Sequence, residues 1–226
     1  MRHYLRYLTH KLKNEPWQQL FLDIYGKAGL RITPYYLVME GRFGDAPPLP
    51  AKASKYTVRF LGPEDMAQIA AMPERSIREP LTQKWFEEGN LCFGMLCDET
   101  IIAFVWCNLE TCHFWGHPFP LAENEAYIFD AHTSKDYRGA GIAPYLRYRL
   151  YEEMERRGKT CLYSYTSQLN RPAQRFKLKL NARVMGKGLS ILFLKRWHLV
   201  SRFTPYREYA DIADRWKAPP TIFSRT

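Results

Sequence analysis

The chain has 226 residues, 46% hydrophobic and 25% charged. That is enough for one domain of about 150 residues with an appendage, and too little for two full domains. With 13 Gly and 15 Pro it is neither collagen-like nor low-complexity. Its longest apolar run, Ile101 to Cys107, is far short of the ~20 residues a membrane-spanning helix needs. Five scattered Cys do not make a secreted disulfide framework. Lys11, Lys13, Asn14 and Glu15 interrupt any signal-peptide core. The composition therefore points to a soluble protein of a reducing compartment, the cytoplasm.

Taken in chain order, Leu5, Leu8 and Leu12, then Trp17, Leu20, Phe21, Ile24 and Tyr25, recur at helical spacing and predict two short amphipathic helices. Arg2, Arg6, Lys11 and Lys13 would let residues 1–25 rest on an anionic bilayer surface. Packing of the apolar faces on the main domain is the favoured reading. Ala46 to Pro50 reads as an extended linker, so residues 1–50 form an N-terminal helical extension, 56–200 the main domain and 201–226 a tail.

Within that domain, Tyr56 to Leu61 alternates as a strand, Gly62-Pro63-Glu64-Asp65 opens a helix, and Leu81 to Glu88 forms a second. Leu91 to Cys97 and Ile101 to Asn108 make a hairpin, and Leu109 to Asn124 a looped stretch before a strand at Glu125 to Thr133. Then come Arg138-Gly139-Ala140-Gly141-Ile142-Ala143-Pro144 and a helix with Leu146, Leu150 and Met154 inward. Thr160 to Thr166 reads as a strand. Asn170 caps a further helix, and Val184 to Leu194 forms a hairpin turning at Gly186-Lys187-Gly188. The fold class is α/β, a mixed, mostly antiparallel sheet of about seven strands flanked by helices.

The turn after the 125–133 strand carries the chemistry. A helix start leaves backbone N–H groups unpaired at the positive end of its dipole, which suits a diphosphate. Gly139 and Gly141 let such an anion approach the backbone, Ala143 is small for the same reason, and Arg138 adds a charge-assisted bond. Residues 138–196 hold 14 of the 33 Lys and Arg but only three acids, Glu152, Glu153 and Glu155. That local excess suggests an anionic partner. Nucleic acid is not favoured, because no recognised motif accompanies the basic and aromatic residues. Cys107, Cys112, His113 and His117 have ligand types that suit zinc, but the spacing is loose and no metal is expected.

Arg138-Gly139-Ala140-Gly141-Ile142-Ala143 and, some 30 residues later, Asn170-x-x-Ala173-x-x-Phe176 together resemble the paired motifs of the GCN5-related N-acetyltransferases (GNAT). The resemblance runs from about Tyr56 to Trp197. It implies acetyl-CoA or another acyl-CoA as donor and an amine as acceptor. It also implies a diphosphate on the amides of Gly139, Ala140, Gly141, Ile142 and Ala143, with Arg138 beside it. The two central strands would part after Tyr163-Ser164-Tyr165 to admit the pantetheine arm. Thr133 and Lys135 would bond that arm; Asn170 would reach its amides, and Ala173 and Phe176 would flank it.

The base positions of the family fall on Tyr127 and Phe129, so Glu125, two residues earlier on the same face, is the candidate base. Asp130 and His132 are alternative bases, but strict alternation puts them on the other face. Lys177 stands where many relatives have a tyrosine and is the candidate group for the leaving thiolate, with Tyr163 or Tyr165 as substitutes. Lys179-Leu180-Asn181-Ala182 lacks the family's usual Gly-Phe. A catalytically silent acyl-CoA-binding or regulatory module is the alternative reading, an acyl carrier protein an alternative donor, and a homodimer an open assembly.

Overall fold

The structure is a computed structural model, and it describes residues 29–50, 53–72, 79–114, 117–194, 197–202 and 224–225. The strands are β1 (Leu30–Glu40), β2 (Tyr56–Leu61), β3 (Leu91–Cys97), β4 (Thr100–Asn108), β5 (Thr111–Phe114), β6 (His117–Pro120), β7 (Glu125–Thr133), β8 (Cys161–Ser167), β9 (Arg183–Phe193), β10 (Trp197–Arg202) and β11 (Ser224–Arg225). The helices are α1 (Met66–Ala70), α2 (Glu79–Glu87), α3 (Ile142–Arg156) and α4 (Arg171–Lys179). Nine strands form one sheet in the order β11-β10-β9-β1-β8-β7-β4-β3-β2, and β5 pairs with β6. Every pairing is antiparallel except β7 with β8. This is the mixed, mostly antiparallel sheet expected.

Helices α3 and α4 cover one face. Ile142, Leu146, Leu150 and Met154 of α3 pack with Phe93, Met95, Val105, Ala126, Ile128 and Leu162, so the i, i+4, i+8 apolar stripe finds the sheet as its periodicity requires. Helices α1 and α2 cover the other face, where Met66, Ile69, Trp85 and Phe86 meet Phe104, Trp106 and Phe129. Farther along that face Tyr35, Met39, Tyr127, Tyr163 and Met185 cluster with Cys112 of β5.

Three expectations are corrected. Residues 30–40 are not part of a helical extension: β1 lies between β8 and β9, pairing Met39 with Tyr163 on one side and Arg183 on the other. A short apolar run such as Tyr35 to Met39 cannot be told from a buried helical segment by periodicity alone, so the pairing on both edges is what identifies it as a strand. The helices expected in residues 1–25 lie outside the described residues. Second, 183–193 is one continuous strand. Gly188 does not turn the chain; a Cβ there would collide with the Tyr35 ring, so glycine permits the close approach of β1. Third, the stretch after β4 is the β5–β6 hairpin rather than a loop. At the C-terminal end β10 runs to Arg202 and pairs with β11; the remainder of the expected tail lies outside the described residues.

Candidate functional site

β7 and β8 are parallel neighbours from Glu125/Cys161 to Ile128/Ser164, where their pairing ends. β7 continues to Thr133 and β8 to Ser167, so the two strands part beyond Ser164 and leave a gap in the middle of the sheet, as the resemblance implied. A one-residue bulge in β7 contributes. Trp106 faces Phe129 but Phe104 faces His132, and Asp130 between them takes φ 39°. The extra residue bends the strand and shifts its alternation.

Above the gap, Gly139 and Gly141 adopt φ 82° and 79°, and a Cβ built on either would meet nothing within 4 Å. The backbone there is left-handed, a region β-branched side chains avoid. Gly141 is the N-cap of α3. The N–H groups of Ile142 and Ala143 are in its first turn, where no intrahelical acceptor exists. Pro144 fits that turn because it has no N–H to orphan. Arg138 Nε donates to the Thr133 carbonyl at 3.0 Å, tying the turn to the end of β7. Open space, free amides and a dipole end together suit an anion such as a diphosphate.

A cleft of about 580 Å³ joins this turn to the strand gap. Of the expected residues Thr133, Arg138, Gly139, Gly141, Ile142, Ala143, Asn170, Ala173 and Phe176 line it, while Ala140 and the exposed Lys135 do not. Asn170 Oδ1 accepts from the Ala173 N–H at 3.1 Å, so it caps α4. Asn170 also lines the cleft, and the cap engages only its oxygen.

Beneath the cleft lies a polar cluster that local sequence did not announce. Glu40, at the end of β1, is completely buried; its Oε1 is 3.0 Å from Lys177 Nζ and its Oε2 3.6 Å from Arg147 Nε. Tyr151 Oη donates to Glu40 Oε2 at 2.7 Å. Ser164 Oγ donates to Glu40 Oε1 and accepts from Lys177 Nζ. Burial by itself would raise the Glu40 carboxyl. Arg147 and Lys177, then the bonds from Ser164 and Tyr151, outweigh burial and hold it at about 2. Burial lowers the Lys177 ammonium, with Glu40 opposing. Burial also pushes the Tyr151 hydroxyl well up, reinforced by the Glu40 charge. Arg147 lines the cleft, lies 5.6 Å from the centre of the Phe176 ring, and keeps Nη1 buried with no hydrogen-bond partner among the described residues.

Neither the candidate base nor the candidate acid lines the cleft. Glu125 is buried three residues before the last β7–β8 pair, roughly 10 Å along the strand. It accepts from the Ala122 N–H at 2.8 Å and from Tyr163 Oη at 3.0 Å. Lys177 is folded under the cleft against Glu40 rather than lining it. His132, which strict alternation would put on the opposite face, lies across from Phe104 and stacks on it at 5.9 Å. The bulge at Asp130 thus carries it to the same face as Phe129. The sequence reading does not single out Glu40, Arg147 or Ser164. The available signals were a lone acid ending an apolar run and an arginine beside the inward stripe of α3. Cys107 and Cys112 are buried. Burial pushes the Cys107 thiol up to about 12, away from the thiolate that binds metal. No group of three or more His, Cys, Asp or Glu converges on a metal-sized space among the described residues, and none of the described helices is long and apolar enough to cross a membrane.

Comparison with known proteins bears on the whole arrangement. The solved structure of an acetyltransferase of the GNAT family from Colwellia psychrerythraea superposes with a TM-score of 0.55 at 14% identity, over 84% of this chain and 62% of that one. A putative GNAT acetyltransferase from Novosphingobium aromaticivorans gives 0.52 at 20% identity, over 78% and 69%. An X-ray structure of a Drosophila protein gives 0.54 at 13% identity, over 78% and 57%. The chain thus spans less than two thirds of two of these structures, and at such identities the likeness is one of fold. No curated protein matches the chain. The family model described as Acetyltransferase (GNAT) family matches residues 63–181, more than half of the sequence and the stretch that holds the strand gap, the glycine turn and α4, so this chain belongs to the GNAT acetyltransferase family.

Proposed function

We propose that the protein is an acyl-CoA-dependent N-acyltransferase that passes an acetyl or other acyl group directly to a primary amine. The observation that carries the reading is the open glycine turn at the start of α3, joined by one continuous cleft to the gap between β7 and β8. On this reading the amides of Gly139 to Ala143, with Arg138, hold the donor's diphosphate. Asn170 and the edge of β7 near Thr133 bond the pantetheine arm, with Ala173 and Phe176 against it. Lys135 is exposed and serves at most the outer end of that arm.

The acceptor amine approaches from the α1/α2 face, because α3 and α4 hold the donor on the other. The chemistry needs a proton acceptor for the amine, donors for the tetrahedral oxyanion and an outlet for the thiolate. Backbone N–H groups of β7 beyond Ile128 supply the oxyanion donors. His132 is the preferred base, since it stands on the acceptor face beside the gap. Glu125 is the second choice, acting through Tyr163 or a water. Among donors, acetyl-CoA, longer acyl-CoA and an acyl carrier protein share the same thioester arm.

A silent acyl-CoA-binding module is the competing reading, favoured by the engagement of Lys177 with Glu40. Titration calorimetry with acetyl-CoA, followed by thiol release across a panel of amines, tests both. Binding with amine-dependent release supports the transferase; binding without release from any amine supports the silent module; absence of binding to every CoA species rejects both.

A further inference from the structure

The cluster under the cleft holds two cations and one carboxylate. Its members reach it from four elements: Glu40 from β1, Arg147 and Tyr151 from α3, Ser164 from β8 and Lys177 from α4. With Lys177 protonated, one positive charge in excess is left among these described groups. The side chains of Arg147 and Lys177 are only 6% and 8% exposed. A buried, uncompensated cation is costly unless an anion or strong dipole joins it, and Arg147 Nη1 has a donor to spare. The cluster's place says which anion. Ser164 is the last residue of β8 that pairs with β7, so the network runs from the cleft wall at Arg147 to the closed end of the strand gap.

We propose that Arg147, positioned by Glu40 and Lys177, seats the departing thiolate of the donor at the closed end of this gap, so that fixed charge replaces a proton donor on α4. The inference rests on the acyl-CoA reading above and deepens it. As the amine nitrogen forms its bond to the acyl carbon, its proton passes to the base. The C–S bond then breaks with both electrons on sulfur, giving a thiolate. That thiolate pairs with the guanidinium and takes its proton from solvent on release. Preorganised charge of this kind costs no rearrangement during the reaction. Other charged or titratable groups around the seat are Arg175 and Lys179 at the cleft wall and His132 from β7, with Cys107 of β4 close enough to feel the Arg147 charge. None of these is a carboxylate. Lys177 and Glu40 are positioning residues; Arg147 is the group that meets sulfur.

The test is spectroscopic and uses the full chain. Thiolate absorbance near 232 nm is followed against pH for free coenzyme A and for coenzyme A bound to the protein, with desulfo-coenzyme A as the blank. The bound thiol is expected to ionise roughly one to two pH units lower than the free one, the size of shift an adjacent cation causes. Arg147→Met is expected to abolish that shift and lower kcat about 10- to 100-fold while changing the KM for acetyl-CoA less than about threefold; Arg147→Lys is expected to retain most of it. Arg147→Met leaves Glu40 paired with Lys177, and the wild-type comparison stands even should that variant fold poorly. Bound coenzyme A that ionises like the free thiol, or a shift that persists in Arg147→Met, overturns the seat and leaves the transferase reading intact. Failure of every coenzyme A species to bind overturns both.

Discussion

The glycine turn at the mouth of the cleft and the polar cluster beneath it are built in opposite ways. The turn is six consecutive residues, Arg138 to Ala143, open at the surface, and its shape follows from local backbone chemistry. The cluster joins residues more than a hundred positions apart, Glu40 with Tyr151 and Ser164, and is closed to solvent. A substitution in the turn should cost binding with little loss of stability, whereas one in the cluster should cost stability first. The lesson is that a cofactor mouth is portable along a sequence, but a charged floor is only as good as the packing that assembles it.

The largest expected effect is on the floor. Glu40→Leu removes the carboxylate and strands Lys177 and Arg147, costing about 3–5 kcal/mol, measurable as a lowered urea midpoint with unchanged slope. Adding Lys177→Met to that variant should recover part of the loss, because one of the stranded charges goes with it.

Acid probes the same carboxylate. In the fold Glu40 titrates at about 2 instead of its ordinary 4.5. Its contribution is complete above 4.5. As pH falls below that value the unfolded chain takes up the proton first, and stability drains away toward pH 2, by up to about 3 kcal/mol. Glu40→Leu should flatten that part of the pH–stability curve, as read by denaturant titrations between pH 5 and 2.

For the mouth, Gly141→Val places a β-branched residue at φ 79° and fills the space in front of the amides. Acetyl-CoA binding should weaken at least about 100-fold, with a stability loss of only about 1–2 kcal/mol. A stability loss matching that of Glu40→Leu would erase the proposed division between mouth and floor. At the acceptor face, His132→Gln should reduce kcat about 100-fold with acetyl-CoA binding unchanged by calorimetry. The smallest effect is expected from Glu125→Gln, less than about tenfold in kcat, since its carboxylate is already engaged by Ala122 and Tyr163 and a neutral amide preserves both contacts in part. A reversal of these last two results would return the base to Glu125.

The sequence by itself determined whatever depends on neighbours along the chain. Leu91 to Asn108 reads as two apolar runs joined by a polar turn at Asp98-Glu99-Thr100, Leu146, Leu150 and Met154 set the face of α3, and Gly139 and Gly141 announce a left-handed turn before a helix. The paired motifs then marked the family and the approximate course of the cleft. What only the tertiary structure decided depends on registers and packing that no local pattern encodes. β1 sits in mid-sheet because both its edges find partners, in β8 and β9, and its short apolar run reads equally well as a buried helical segment. The one-residue bulge at Asp130 moves His132 to the face of Phe129, and a count by twos has no means of sensing it. Lys177 could be placed on α4 from spacing, but its side chain turns to Glu40, 137 positions away in the chain, and no local pattern encodes that pair.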